Sequence, residues 1–164
     1  MSTPADPVET LGRRLVAVHA ELRETLRRLR ASSQPGLDGS LTTHCLAFCA
    51  AVDQHHRGEN TQLFPDVVAE DPALAAVVDQ LRHDHGLIGF LLRDVASTVR
   101  ALPADPDAAQ LQRFRQTLDG LSAVLESHFT FEERAVRGPL AARPVPTPPP
   151  SWDVRGAGQD GGHG

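Results

Sequence analysis

Leu11, Leu15, Val18, Leu22, Leu26 and Leu29 recur in steps of three and four, the period that gathers side chains on one face of an α-helix. The stripe predicts a first helix from about Val8 to Arg30. SSQPGLDGS then interrupts it with Pro35, Gly36 and Gly39, and offers Asp38 and Ser40 as N-caps for the next element. A second stripe, Leu41, Cys45, Phe48 and Val52, followed by His55 and Glu59, predicts a helix to about Phe64 that continues past Pro65. Pro72 stands where the first turn of a third helix tolerates proline. That helix carries Leu74, Val78, Leu81, His85, Ile88, Leu92, Val95 and Val99. After ALPADPDA, a fourth carries Leu111, Phe114, Leu118, Leu121, Leu125, His128, Glu132 and Val136, and ends near Arg137, before Gly138 and Pro139. No useful stretch alternates with the two-residue period of a strand. Four helices joined by short turns predict an all-α fold, an up-and-down antiparallel four-helix bundle formed by residues 1–138. Residues 139–164, rich in Pro and Gly and without periodic apolar positions, are expected to form a disordered tail, from which Trp152 could dock on the bundle.

Two of these stripes end in residues that a helix core does not ordinarily hold. His55 with Glu59, and His128 with Glu132, are pairs four residues apart at core positions. Removing water from a bare carboxylate costs several kcal/mol or more unless a partner compensates. A bound cation is the simplest partner. In an antiparallel bundle, residues equally distant from a connecting turn share a level. Applied to His19, His55, His85 and His128 around turns near Pro35, Asp71 and Pro106, the largest mismatch is about four residues, or about 6 Å at 1.5 Å per residue. Each helix therefore contributes one histidine to a common layer, His19 competing with Val18 for the inward position. His56, one position off the stripe and three residues from Glu59, ranks behind His55 as a ligand or as its support. His44 falls in another layer, where it caps or packs, and His83 is expected to face solvent. Glu133, Asp84 and Glu126 read as solvated charges on outer faces. Cys45 and Cys49 read as small core fillers; the usual metal spacing has two residues between cysteines, not three.

Composition narrows the classes of function. The net charge of -5 and pI of 5.9 supply no basic field for nucleic acid or anionic lipid. No segment has the roughly 18 consecutive apolar residues of a membrane span, and MSTPADPVET lacks a positive leader, so a cytoplasmic protein is the expectation. Tyr is absent, which excludes tyrosyl-radical chemistry. The oligomeric state stays open.

Four imidazoles with two carboxylates describe two metal ions, each with two histidines, bridged by Glu59 and Glu132. That donor set suits iron, with manganese or zinc behind it. Solvent would complete the coordination and leave positions open to a small diatomic or to peroxide.

FCAAVDQHHRGENTQLFP, LRHDHGLIGFLLRDV and LESHFTFEERAV together resemble the hemerythrin-like proteins with the HHE cation-binding domain, over about residues 8 to 137. The resemblance implies a four-helix bundle with a non-haem di-iron centre that binds oxygen, nitric oxide or peroxide. Its ligand positions fall on His19, His55, Glu59, His85, His128 and Glu132, with the two glutamates as bridges. Classical oxygen-carrying hemerythrins have a histidine pair four apart on the third helix and end with HxxxxD. Here Leu81 and Gly89 flank His85 at that distance, which favours sensing or peroxide chemistry over simple oxygen transport. Ferritin-like di-iron proteins use ExxH twice, and this chain has HxxxE twice instead. Catalase-like or peroxidase-like turnover, iron storage or donation, and an interaction bundle with incidental histidines stand as the alternatives.

Overall fold

The computed structural model describes residues 9–32 and 40–155. Helix α1 spans Leu11–Ser32 and buries Leu11, Leu15, Val18, His19, Leu22, Leu26 and Leu29. It begins at Leu11 because Thr10 caps it: the Arg13 amide donates to Thr10 Oγ1 at 3.3 Å and the Arg14 amide to the Thr10 carbonyl at 3.0 Å. Val8 and the candidate cap Asp38 lie outside the described residues, and Ser40 is the first residue of α2.

The second rod is composite. Helix α2, Ser40–Gly58, passes through a widened π turn, Glu59–Leu63, into α3, Phe64–Glu70. Pro65 explains the widening. In a regular helix its ring would collide with the carbonyl four residues back, and its missing N–H would leave that carbonyl unpaired. With one extra residue in the turn, the Phe64 amide bonds to the carbonyl of Glu59 and the helix continues beyond the proline.

Asp71 ends that rod and starts the next, its carboxylate accepting the Ala73 amide at 3.1 Å. A short 3-10 turn, Pro72–Leu74, leads into α4, Ala75–Ala101. A capping box at Asp107 and Gln110, with reciprocal bonds of 2.8 and 2.9 Å, opens α5, Ala108–Leu140. Helix α5 runs past the expected end near Arg137. Pro139 sits in its last turn, and Leu140 is fully buried beside Gly12 of α1.

α1 packs on α2 and α5, and α4 on α2 and α5, as an up-and-down bundle requires. Among the described residues there is no strand, only a single bridge between Thr10 and Pro144. None of the described helices is long and apolar enough to cross a membrane.

The expected disordered tail is corrected as far as Arg155. Residues 141–155 fold back over the end of the bundle, burying Trp152 and Val154. Backbone bonds from Leu11 to Arg143 at 2.8 Å and from Val145 to Glu9 at 3.4 Å tie it to the start of α1. Proline and glycine remove helical period, but they do not prevent an extended segment from covering apolar surface. Residues 156–164 lie outside the described part.

Leu121→Ala, at a position with no exposed surface, should lower unfolding free energy by about 2–5 kcal/mol, read as a shift of the urea midpoint at constant slope. Leu87→Ala, half exposed on α4, should change it by no more than about 0.5 kcal/mol.

Candidate metal centre

All six residues that the sequence places in the shared layer are buried together: His19 from α1, His55 from α2, Glu59 from the π turn, His85 from α4, and His128 and Glu132 from α5. A seventh, His56, joins them with 4% of its surface exposed. The donor atoms form two groups, His19, His55, Glu59 and Glu132 in one and His56, His85 and His128 in the other, with the atoms of each within 4.8 Å of one another. His56, ranked behind His55 from the sequence, thus stands in the second group while His55 stands in the first. Two consecutive helical residues diverge by about 100°, and at the meeting point of four rods this divergence sends each imidazole to a different side of one interior space. The HHxxE spacing carried that signal.

Imidazole nitrogens face one another across the centre. His19 Nε2 lies 3.0 Å from His55 Nε2, and His85 Nε2 lies 3.1 Å from His128 Nε2. Glu132 spans the two groups, Oε1 at 3.2 Å from His19 Nε2 and Oε2 at 3.2 Å from His128 Nε2. Glu59 Oε1 lies 3.0 Å from His55 Nε2 and 3.7 Å from His85 Nε2. Among the described residues, no group meets hydrogen-bond geometry with either carboxylate or with His56 Nε2, all of them buried.

Outer contacts orient these lone pairs. His55 Nδ1 donates to the Trp152 carbonyl at 2.7 Å. A carbonyl only accepts, so the proton of the neutral ring sits on Nδ1 and Nε2 presents its lone pair inward. His85 Nδ1 meets Asn60 Oδ1 at 2.8 Å, and His19 Nδ1 meets Glu133 Oε1 at 3.0 Å. Such partners orient a ring and raise its basicity toward a metal. Inward lone pairs opposed by carboxylate oxygens repel one another in a dry interior, and a cation between them converts the repulsion into attraction. The residues present therefore fit metal binding, with His19, His55, Glu59 and Glu132 on one side, and His56, His85 and His128 with the second oxygen of Glu132 on the other. Neither cysteine joins either group.

Burial and mutual contact set the ionisation of the cluster. Desolvation, reinforced by Glu132, holds Glu59 well above the ordinary carboxyl range; desolvation opposes ionisation of Glu132 too, but its close contacts with Glu59, His128, His19 and His85 prevail and hold it well below. The two carboxyls thus share one negative charge in the metal-free protein. Burial lowers His55 to about 3 and His56 well below its ordinary value. Burial also opposes protonation of His19, yet Glu132 and Glu133 outweigh it and raise its pKa.

Two further readings are corrected. Glu133 is no free surface charge: besides His19 it bonds Arg23 at 3.0 Å, and Arg23 in turn bonds Glu126 at 2.7 Å, linking the cluster to the surface. His44 is exposed on α2 and neither caps nor packs in the core. His83 faces solvent as expected, and Asp84 lies 3.6 Å from His128 Nδ1. Cys45 and Cys49 are buried free thiols, as a filler role requires. Cys45 is held above the ordinary thiol range by its bond with Cys49 and by burial.

The sign of the acid response follows. His55 and His56 stay neutral in the fold, whereas the unfolded chain protonates them below about pH 6.5. The unfolded state then binds more protons, so their contribution is whole above that pH and is lost as pH falls toward the folded value of about 3 for His55. His19, with a raised pKa, acts oppositely, adding stability below about 6.5 that is lost as pH rises. Metal-free protein should lose about 1 kcal/mol for each of His55 and His56 between pH 7 and 5.5, partly offset by His19. Urea melts at both pH values test this, and His56→Gln should show the shallower dependence.

Neither a curated protein nor a solved structure matches the chain. The family model for the hemerythrin HHE cation binding domain matches residues 10–141, a span that contains every residue of the cluster. With its four-rod bundle and its buried histidine-glutamate centre, this chain belongs to the hemerythrin HHE cation-binding domain family.

Proposed function

We propose that the protein holds two non-haem iron ions in this centre and uses them to bind or sense oxygen, nitric oxide or peroxide. The observation that carries the reading is Glu132, whose two oxygens lie 3.2 Å from imidazole nitrogens of different groups, as a carboxylate bridging two ions would. The donor set, imidazole and carboxylate without thiolate, favours iron over softer metals. Bound iron would supply reversible redox change and open coordination positions for a small ligand.

The chain's own residues do the rest. His56, His85 and His128 offer three nitrogens on one side and His19 and His55 two on the other, where Glu59 adds a carboxylate, so with one oxygen of Glu132 each side would present four donors and leave room for a small ligand. Phe129 stacks on His19 at 4.1 Å between ring centres, excluding water from that side. Glu59, held protonated by burial, stores a proton that metal binding must displace.

Peroxide turnover is the second reading, and the bonded chain His19, Glu133, Arg23, Glu126 favours it. Conversion of two hydrogen peroxide molecules into two water molecules and one oxygen molecule moves protons between substrates, and the path from His19 through Glu133 to the surface would carry such a proton by way of the His19 ring.

Protein purified without oxygen should contain about two irons per chain and, once oxidised, absorb as carboxylate- and histidine-ligated ferric iron; a chain that takes up no iron under reducing reconstitution overturns the proposal. Glu132→Ala should halve the iron content or worse and lower the melting temperature of the loaded protein to that of the metal-free form. For the second reading, added peroxide should release oxygen, with Glu133→Gln slowing that release roughly 10²-fold or more per bound iron.

A further inference from the structure

The family match ends at residue 141, and the segment that follows touches the cluster. Leaving α5, the chain passes the start of α1, where Arg143 reaches Asp66 at 3.5 Å and its carbonyl accepts the Leu11 amide. It then crosses the π turn, the Ser151 amide donating to Gln62 Oε1 at 2.9 Å. Asp153, its side chain 6% exposed, pairs with Arg14 of α1 and with Arg155. Between these anchors Trp152 inserts with 1% of its surface exposed, its ring centre 6.3 Å from that of His55 and nearly perpendicular to it. Its carbonyl accepts a hydrogen bond from His55 Nδ1–H.

Gly58 shows how closely the segment is seated. A Cβ there would lie 2.5 Å from the Trp152 amide nitrogen and 2.8 Å from its Cα, contacts with backbone that no side-chain rotation relieves. Alanine is the better helix former, so glycine at this position of α2 serves the approach of the segment rather than the helix.

We infer that the segment 141–155 is a working part of the metal centre, a strap whose Trp152 carbonyl positions His55 by holding it in the Nδ1–H tautomer with Nε2 aimed at the cluster. His19 and His85 draw their outer partners, Glu133 and Asn60, from inside the family-matched bundle; His55 draws its own from beyond it. Without the strap, His55 can carry its proton on Nε2, which points a donor at the position a cation would take. Trp152 is a positioning residue, acting through its backbone oxygen and anchored by its indole. The inference rests on the di-iron reading for its purpose but not for its geometry.

Long-range proton–nitrogen NMR of the full-length, metal-free protein at pH 7 reads the tautomer directly. His55 should be the Nδ1–H form with a proton protected from solvent exchange. Gly58→Ala and Trp152→Ala should speed that exchange at least about 10-fold while leaving the His19 Nδ1 proton unmoved. Ferrous iron should leave the His19 and His55 side about 10- to 100-fold faster, with circular dichroism unchanged. If either variant fails to fold, Asp153→Asn, which loosens one anchor only, should show the same selective loss at smaller size. An Nε2–H tautomer in the wild type, or wild-type exchange and iron release in folded variants, overturns the strap. A chain with a locked His55 that binds no iron overturns the di-iron reading and leaves the strap standing.

Discussion

Opposed lone pairs at the centre of the bundle are the constraint on which the rest of this molecule depends. Two glutamates and the inward nitrogens of five histidines converge in the buried interior, an arrangement that apolar packing alone would push apart. In the metal-free protein, protons soften it: Glu59 keeps its proton, and His19 is drawn toward the charged form by Glu132 and Glu133. A cation does the same task better, because one positive centre satisfies several donors at once. The protein is consequently built to exchange protons for metal, and its pH response and its metal affinity are two views of one equilibrium.

Each rod meets that constraint by a local device. The capping box at Asp107 sets where α5 begins, and the apolar repeat then delivers His128 and Glu132 to the interior. The π turn at Glu59 serves two ends, accommodating Pro65 and placing a carboxylate beside both His55 and His85. Outer partners fix ring orientation from different parts of the chain: an amide from the π turn, a carboxylate from α5, and a backbone carbonyl from the strap. These choices are not equivalent. A carboxylate partner such as Glu133 links the centre to Arg23 and the surface, whereas the Trp152 carbonyl lies within a sealed apolar contact. Within one donor group, therefore, His19 is linked to the surface and His55 is not.

Most of the bundle and six of the seven clustered side chains were legible in the chain itself. The three- and four-residue repeat survives into the structure because burial of an apolar stripe is a one-dimensional property of a helix. The anomaly of His55, Glu59, His128 and Glu132 on that stripe is equally local. Val18 and His19 compete for the inward position by helical period, and the structure buries both fully in α1.

What the sequence determined by itself was thus the periodic part: four rods, their order, and a polar layer that demands a cation. Tertiary structure alone decided the rest. The role of His56 depended on how α2, α4 and α5 come together, since helical period puts it off the stripe and only the neighbouring rods turn that flank into interior. The part played by Glu133 arose the same way, from the approach of α1. The strap was the least legible feature, because segments without period are held by contacts distant along the chain, such as Trp152 on Gly58 and Asp153 on Arg14, and no local pattern records which surface an extended segment will cover.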